Sequence, residues 1–140
     1  MSRRGLQIVL AAIGSVAALA GASGVLRGPA EVAGGGPVSA NVDSEYRFYA
    51  SWYAVFGVLL LGAARRPETG TMVVRACGAG FLASACGRVL SIRSLGPPNK
   101  LQKVLMALEF VIPVVVVPWH SALANSRPAS LLRRSRTAQA

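Results

Sequence analysis

Four long apolar stretches, residues 6–26, 46–64, 71–90 and 101–120, bound what this chain can fold into. A helix needs ~20 apolar residues to cross ~30 Å of hydrocarbon, and each stretch has that length. The first holds no charged residue and the second only Arg47. The third holds Arg75 and Arg88, and the fourth Lys103 and Glu109. A water-soluble core does not call for so much apolar surface. Of the 140 residues, 53% are hydrophobic and 14% charged, against about 25% charged in an ordinary soluble domain. The same numbers exclude a disordered chain. The expected fold is all-α: an integral membrane four-helix bundle, up-down-up-down, followed by a basic tail over residues 121–140.

The net charge of +10 would suggest nucleic acid in a soluble protein. Here the basic residues sit mostly at the ends of the apolar stretches, so they report membrane orientation and contact with anionic lipid, not a nucleic-acid partner. With four spans the termini share a side. Arg3, Arg4, Arg65, Arg66, Arg127, Arg133, Arg134 and Arg136 lie there, and Arg27, Arg93 and Lys100 lie opposite. The excess of basic residues inside places both termini in the cytoplasm. Arginine far outnumbers lysine and Ala and Gly are abundant, which suggests a GC-rich bacterial genome and the bacterial inner membrane. A second reading of the first stretch is a cleaved signal peptide. Ser2-Arg3-Arg4 is a basic start and Ala20-Gly21-Ala22 resembles a cleavage site. The stretch runs on through Val25 and Leu26, past a typical 7–15-residue signal core, and this favours retention.

Helices in lipid pack closely only where small residues let their backbones approach. Ala11, Gly14, Ala18 and Gly21 supply such a stripe in the first span, and Ala76, Gly80, Ala83 and Gly87 in the third. Both predict close contacts, within the bundle or between copies. Asp43 or Ser44 is the expected N-cap of the second helix. The loop before it, with Gly28-Pro29 and Gly34-Gly35-Gly36, reads as flexible or functional; its glycines lack the Lys-Ser/Thr of a phosphate loop. Cys77 and Cys86 fall on opposite helix faces and cannot pair. They make no metal-binding spacing, and no cofactor motif is present.

Glu109 carries the most information. A charge near the middle of a span costs about 3 kcal/mol on insertion scales, so it should face the bundle interior, be neutralised, or find a partner. Pro113, four residues on, has no amide hydrogen, so the carbonyl of Glu109 loses its helical partner too. Pro118 does the same to Val114, and both prolines are expected to kink the fourth helix. Arg88 is the expected partner. It lies roughly 10 Å nearer the outer face at ~1.5 Å per residue, but side chains lean toward their own helix N-terminus, so on oppositely directed helices these two lean together. Arg88 continues a polar stripe, Cys77, Gly80, Ser84 and Ser91. Arg47 and Arg75 lean toward the two membrane surfaces and can snorkel there. In the second span, Tyr46, Phe48, Tyr49, Trp52 and Tyr53 read either as an interfacial aromatic belt or, for Glu45, Tyr49, Trp52 and Phe56, as a pocket with an acidic mouth. His120 reads as an interfacial residue.

At Asn41-Val42-Asp43-Ser44-Glu45-Tyr46-Arg47-Phe48-Tyr49-Ala50-Ser51-Trp52-Tyr53, at Gly87-Arg88-Val89-Leu90-Ser91 and at Leu108-Glu109-Phe110 with Pro113, the chain resembles domain-of-unknown-function family 4345. The family consists of small bacterial membrane proteins, and the resemblance covers roughly residues 5 to 120. It implies a four-helix membrane protein and no activity. The family's charged and aromatic positions match Asp43, Glu45, Arg47, Tyr49, Trp52, Arg88 and Glu109, which form the expected outer-half binding cluster. The leading expectation is a binding, accessory or structural membrane component. A small proton-coupled transporter using Glu109, as an oligomer, is the alternative. An enzyme on a lipid or quinone ranks last, because no nucleophile–base pair is recognisable. The expected partners are the bilayer, anionic lipid at the tail, and a second copy or a larger membrane complex.

Overall fold

The computed structural model describes residues 2–126. Among them lie four α-helices, α1 (Arg3–Arg27), α2 (Ala40–Arg65), α3 (Thr71–Leu95) and α4 (Lys100–Asn125), with one 3-10 turn at Pro29–Glu31 and no strand. The fold is all-α, and each helix is long and apolar enough to cross a membrane, which makes this a multi-pass membrane protein. Ile8, Leu19, Met72 and Val114 point outward, as suits side chains solvated by acyl chains rather than water.

Every helix is longer than its apolar stretch, because caps and not hydropathy set the ends. The N-cap of α2 is Ser39, whose hydroxyl accepts from the Val42 amide; Asp43 and Ser44 lie inside the first turns. The polar segment 40–45 is compatible with helix but invisible to an apolar count. α1 starts on Ser2, which accepts from Gly5, and stops at Gly28. Gly28 takes a φ of 77°, a left-handed conformation that glycine adopts without strain. α3 stops in the same way at Gly96, ahead of Pro97 and Pro98, and Asn99 caps α4 through the Gln102 amide. α4 passes residue 120 and ends at Asn125, so the expected tail begins helical. Its arginines, Arg127, Arg133, Arg134 and Arg136, lie outside the described residues. Pro113 and Pro118 both sit within an unbroken α4.

One end of the bundle, the turn end, gathers the start of α1, the short α2–α3 turn and the end of α4. Arg3 pairs there with Glu68, and His120 donates through Nε2 to the Pro67 carbonyl. His120 is therefore buried, at 1% exposure, and not interfacial; the turn carbonyl draws the ring in. The loop end gathers the rest, with Asn99 donating to the Ala33 carbonyl at 2.6 Å.

Packing is uneven. α1 and α2 touch backbone to backbone: a Cβ on Gly14 would lie 2.9 Å from the Gly57 carbonyl, and one on Gly21 2.7 Å from that of Ala50. The first predicted stripe thus makes the α1–α2 seam. The second, apart from Gly80 beside Phe56, does not pack within the chain. Ala76, Ala83 and Gly87 are exposed, and a Cβ on Gly87 would meet nothing within 4 Å. α3 instead turns Val74, Cys77, Gly78 and Ala85 inward, with Gly78 against Val117 of α4. The central core, Leu6, Leu10, Leu60, Ala63, Ala64, Val74, Cys77 and Val116, fills the turn-end half. Toward the loop end the α1–α2 and α3–α4 hairpins leave space between them.

Candidate functional site

That space is a chamber of about 500 Å³, bounded by all four helices and by Val32 of the loop. Its polar wall is built from α3 and α4. Arg88 donates from Nε and Nη2 to the two carboxylate oxygens of Glu109, at 2.8 and 3.0 Å. This two-pronged geometry is the strongest form of a guanidinium–carboxylate contact. Nη1 donates to the Gln102 side-chain oxygen at 2.6 Å. Glu109 is 5% exposed, whereas the Arg88 side chain keeps about a third of its surface, 34%. The pair thus forms part of the chamber lining and is not sealed in a dry core. Opposite it stand Tyr46, Tyr49 and Tyr53 of α2, with Ser84 of α3 beside Arg88. The phenols and the serine hydroxyl can each donate or accept a hydrogen bond.

Two apolar lateral openings adjoin the chamber and share lining residues with it. One, about 190 Å³, lies between α2 and α3, along Tyr49, Trp52, Phe56, Gly80 and Ser84. The other, about 240 Å³, lies between α1 and α4, along Ile13, Val16, Leu105, Leu108 and Ile112. Tyr53 and Phe81 line both. Their rings meet edge to face with centroids 6.3 Å apart and form a bridge between the hairpins. On the turn-end side of this bridge the packed core begins.

The residues expected from sequence separate into four places. Arg88 and Glu109 meet as expected. Tyr49 and Trp52 line the α2–α3 opening together with Phe56. Asp43 and Arg47 lie elsewhere, as a brace between α1 and α2. Arg47 holds Asp43 at 2.7 and 3.2 Å and donates to the carbonyls of Val25 and Leu26 at 2.5 and 3.3 Å. It satisfies the last carbonyls of α1, as a basic side chain at a helix C-terminus can, instead of snorkelling free. Glu45 is exposed and lines neither the chamber nor its openings. It lies on the outward face of α2 while its neighbour Tyr46 lines the chamber, so the pocket exists without the acidic mouth expected of it. Gln102, Tyr53 and Phe81 join the site without being among the residues expected there from sequence. Gln102 lies seven residues before Glu109, two helical turns on the same face, and that spacing was a readable signal. Cys77 is buried and Cys86 exposed, in keeping with opposite faces. Among the described residues no group of acidic, histidine and cysteine side chains could hold a metal ion.

The family profile described as a domain of unknown function, DUF4345, matches residues 5–120. The chain belongs to the DUF4345 family. The matched DUF4345 segment takes in the whole chamber wall, from Val16 on α1 to Glu109 on α4, and both lateral openings. No curated protein and no solved structure matches the chain.

Proposed function

We propose that this DUF4345 protein binds a membrane amphiphile, which enters sideways from the bilayer with its polar end in the chamber and its apolar part in the openings. The proposed setting is the inner membrane of a bacterium, as an up-down-up-down bundle with both termini cytoplasmic and the chamber in the outer half. The distribution of Arg and Lys supports that orientation, and the close α1–α2 seam supports retention of α1 in the mature protein. One observation carries the binding reading: a hydrogen-bonded Arg88–Glu109–Gln102 cluster faces a cavity flanked by two apolar gaps between the helices, with which it shares lining residues. Its volume falls in the ~300–1,000 Å³ range of small-molecule sites, which are apolar concavities with a few convergent polar groups. A binding role draws more support than proton-coupled transport, because Leu10, Leu60, Val74 and Val116 pack beneath the chamber.

A lipid carrying a photoactivatable group on its chain tests this. Reconstituted protein should be labelled preferentially within residues 49–56, 77–84 and 105–112. Replacing Gly80 with Leu, where only Phe56 stands nearby at 3.7 Å, should suppress the label at 49–56 severalfold. Uniform labelling over all outward faces of the helices would end the proposal.

A further inference from the structure

Resting on that reading, we infer that the amphiphile is a two-chain zwitterionic phospholipid, whose phosphate and ammonium exchange with the two halves of the Arg88–Glu109 pair. The starting point is the charge balance of the chamber. Arg88 and Glu109 neutralise each other, and Glu109 is almost wholly buried. A purely anionic headgroup that drew Arg88 away would strand the Glu109 carboxylate without a counter-charge, and an unpaired buried charge is costly. A purely cationic headgroup would strand Arg88 in turn. A headgroup carrying both charges a few bonds apart leaves neither alone: the phosphate takes guanidinium N–H donors while the ammonium takes the carboxylate. Gln102, bonded to the same guanidinium, holds Arg88 at the chamber wall during the exchange.

The two chains follow from the shape. Around the bundle the α2–α3 and α1–α4 gaps lie on opposite sides, and both reach the Tyr53–Phe81 bridge. A glycerol seated on the chamber side of that bridge would straddle it, with one acyl chain leaving through each gap. Glu109 lies nine residues into α4, roughly 14 Å along the axis at ~1.5 Å per residue. The bound headgroup would therefore sit deeper than those of the surrounding lipids. The apolar gaps commit the site to a lipid and not to a free phosphorylated amine.

The test is competitive retention. The full chain is reconstituted in equal parts of phosphatidylethanolamine, phosphatidylglycerol, diacylglycerol and lysophosphatidylethanolamine, and the bound lipid is read by native mass spectrometry. Phosphatidylethanolamine should be retained about tenfold over each of the others, a ~1.4 kcal/mol preference. In Glu109→Gln the preference should invert toward phosphatidylglycerol, since Arg88 then lacks its counter-charge. The double exchange Arg88→Glu with Glu109→Arg should restore the zwitterion, and it keeps the inference testable where the single variant fails to assemble. Equal retention of phosphatidylglycerol or diacylglycerol overturns the zwitterion while leaving the amphiphile reading standing. Equal retention of the lysolipid overturns the second chain. No specifically retained lipid at all sinks both.

Discussion

At the scale of single residues, the Arg88–Glu109 contact sets the character of the molecule. Breaking it from one side should be far worse than removing it altogether. Arg88→Met leaves a carboxylate 5% exposed with no counter-charge; loss of one partner costs about 3–5 kcal/mol in a fully buried pair, and less than that here, where the Arg88 side chain keeps 34% of its surface. Arg88→Met with Glu109→Leu removes the stranded charge as well and should regain most of that loss. Thermal unfolding in detergent reads both; equal destabilisation in the two variants would mean that Glu109 is solvated some other way. The pair was legible in the sequence because intramembrane charges are few and side-chain lean is fixed by helix direction. The fate of Arg47 was not. Nothing in its spacing told that the carbonyls at the end of α1 would lie within its reach, because that contact depends on the register of two helices.

At the scale of elements, the four helices could be read directly, since lipid forces the backbone to satisfy itself. Their ends and their inward faces could not. Ser39 caps α2 ahead of the aromatic run, and an apolar count has no view of polar first turns. The two small-residue stripes look alike in sequence yet differ in place: α1 presses its stripe into Gly57, while α3 turns Ala76, Ala83 and Gly87 outward. Substitution separates the two cases. A side chain at Gly57 would drive into the backbone of Gly14 and Ala18, so Gly57→Leu should destabilise by at least the ~1–3 kcal/mol of an overpacked core. Gly87→Leu meets open space and should leave the folded monomer within about 0.5 kcal/mol of the parent, as surface changes do. Detergent-resistant unfolding midpoints compare the two directly. A large loss at Gly87 would show that α3 packs against something beyond its own chain.

At the scale of the whole molecule, the two ends differ in kind. The turn end is closed by interdigitated side chains and by His120 reaching the Pro67 carbonyl; the loop end holds the chamber, roofed in part by a loop tied to Asn99. Helices of 25 or 26 residues span about 38 Å at ~1.5 Å per residue, more than the ~30 Å of hydrocarbon, so both ends reach the headgroup layers. Which end faces out decides which leaflet can feed the chamber. The proposed orientation, with the turn end toward the cytoplasm, rests on the excess of arginine at that end. Single cysteines in a chain whose native Cys77 and Cys86 are alanine test this. Gly36→Cys sits in the loop where a side chain meets nothing, and Thr69→Cys sits in the exposed opposite turn. With a membrane-impermeant maleimide on intact cells, Gly36→Cys should label and Thr69→Cys should stay dark until the membrane is opened. The reverse pattern would turn the chamber toward the inner leaflet, where the same Arg88–Glu109 wall would draw on a different pool of lipid.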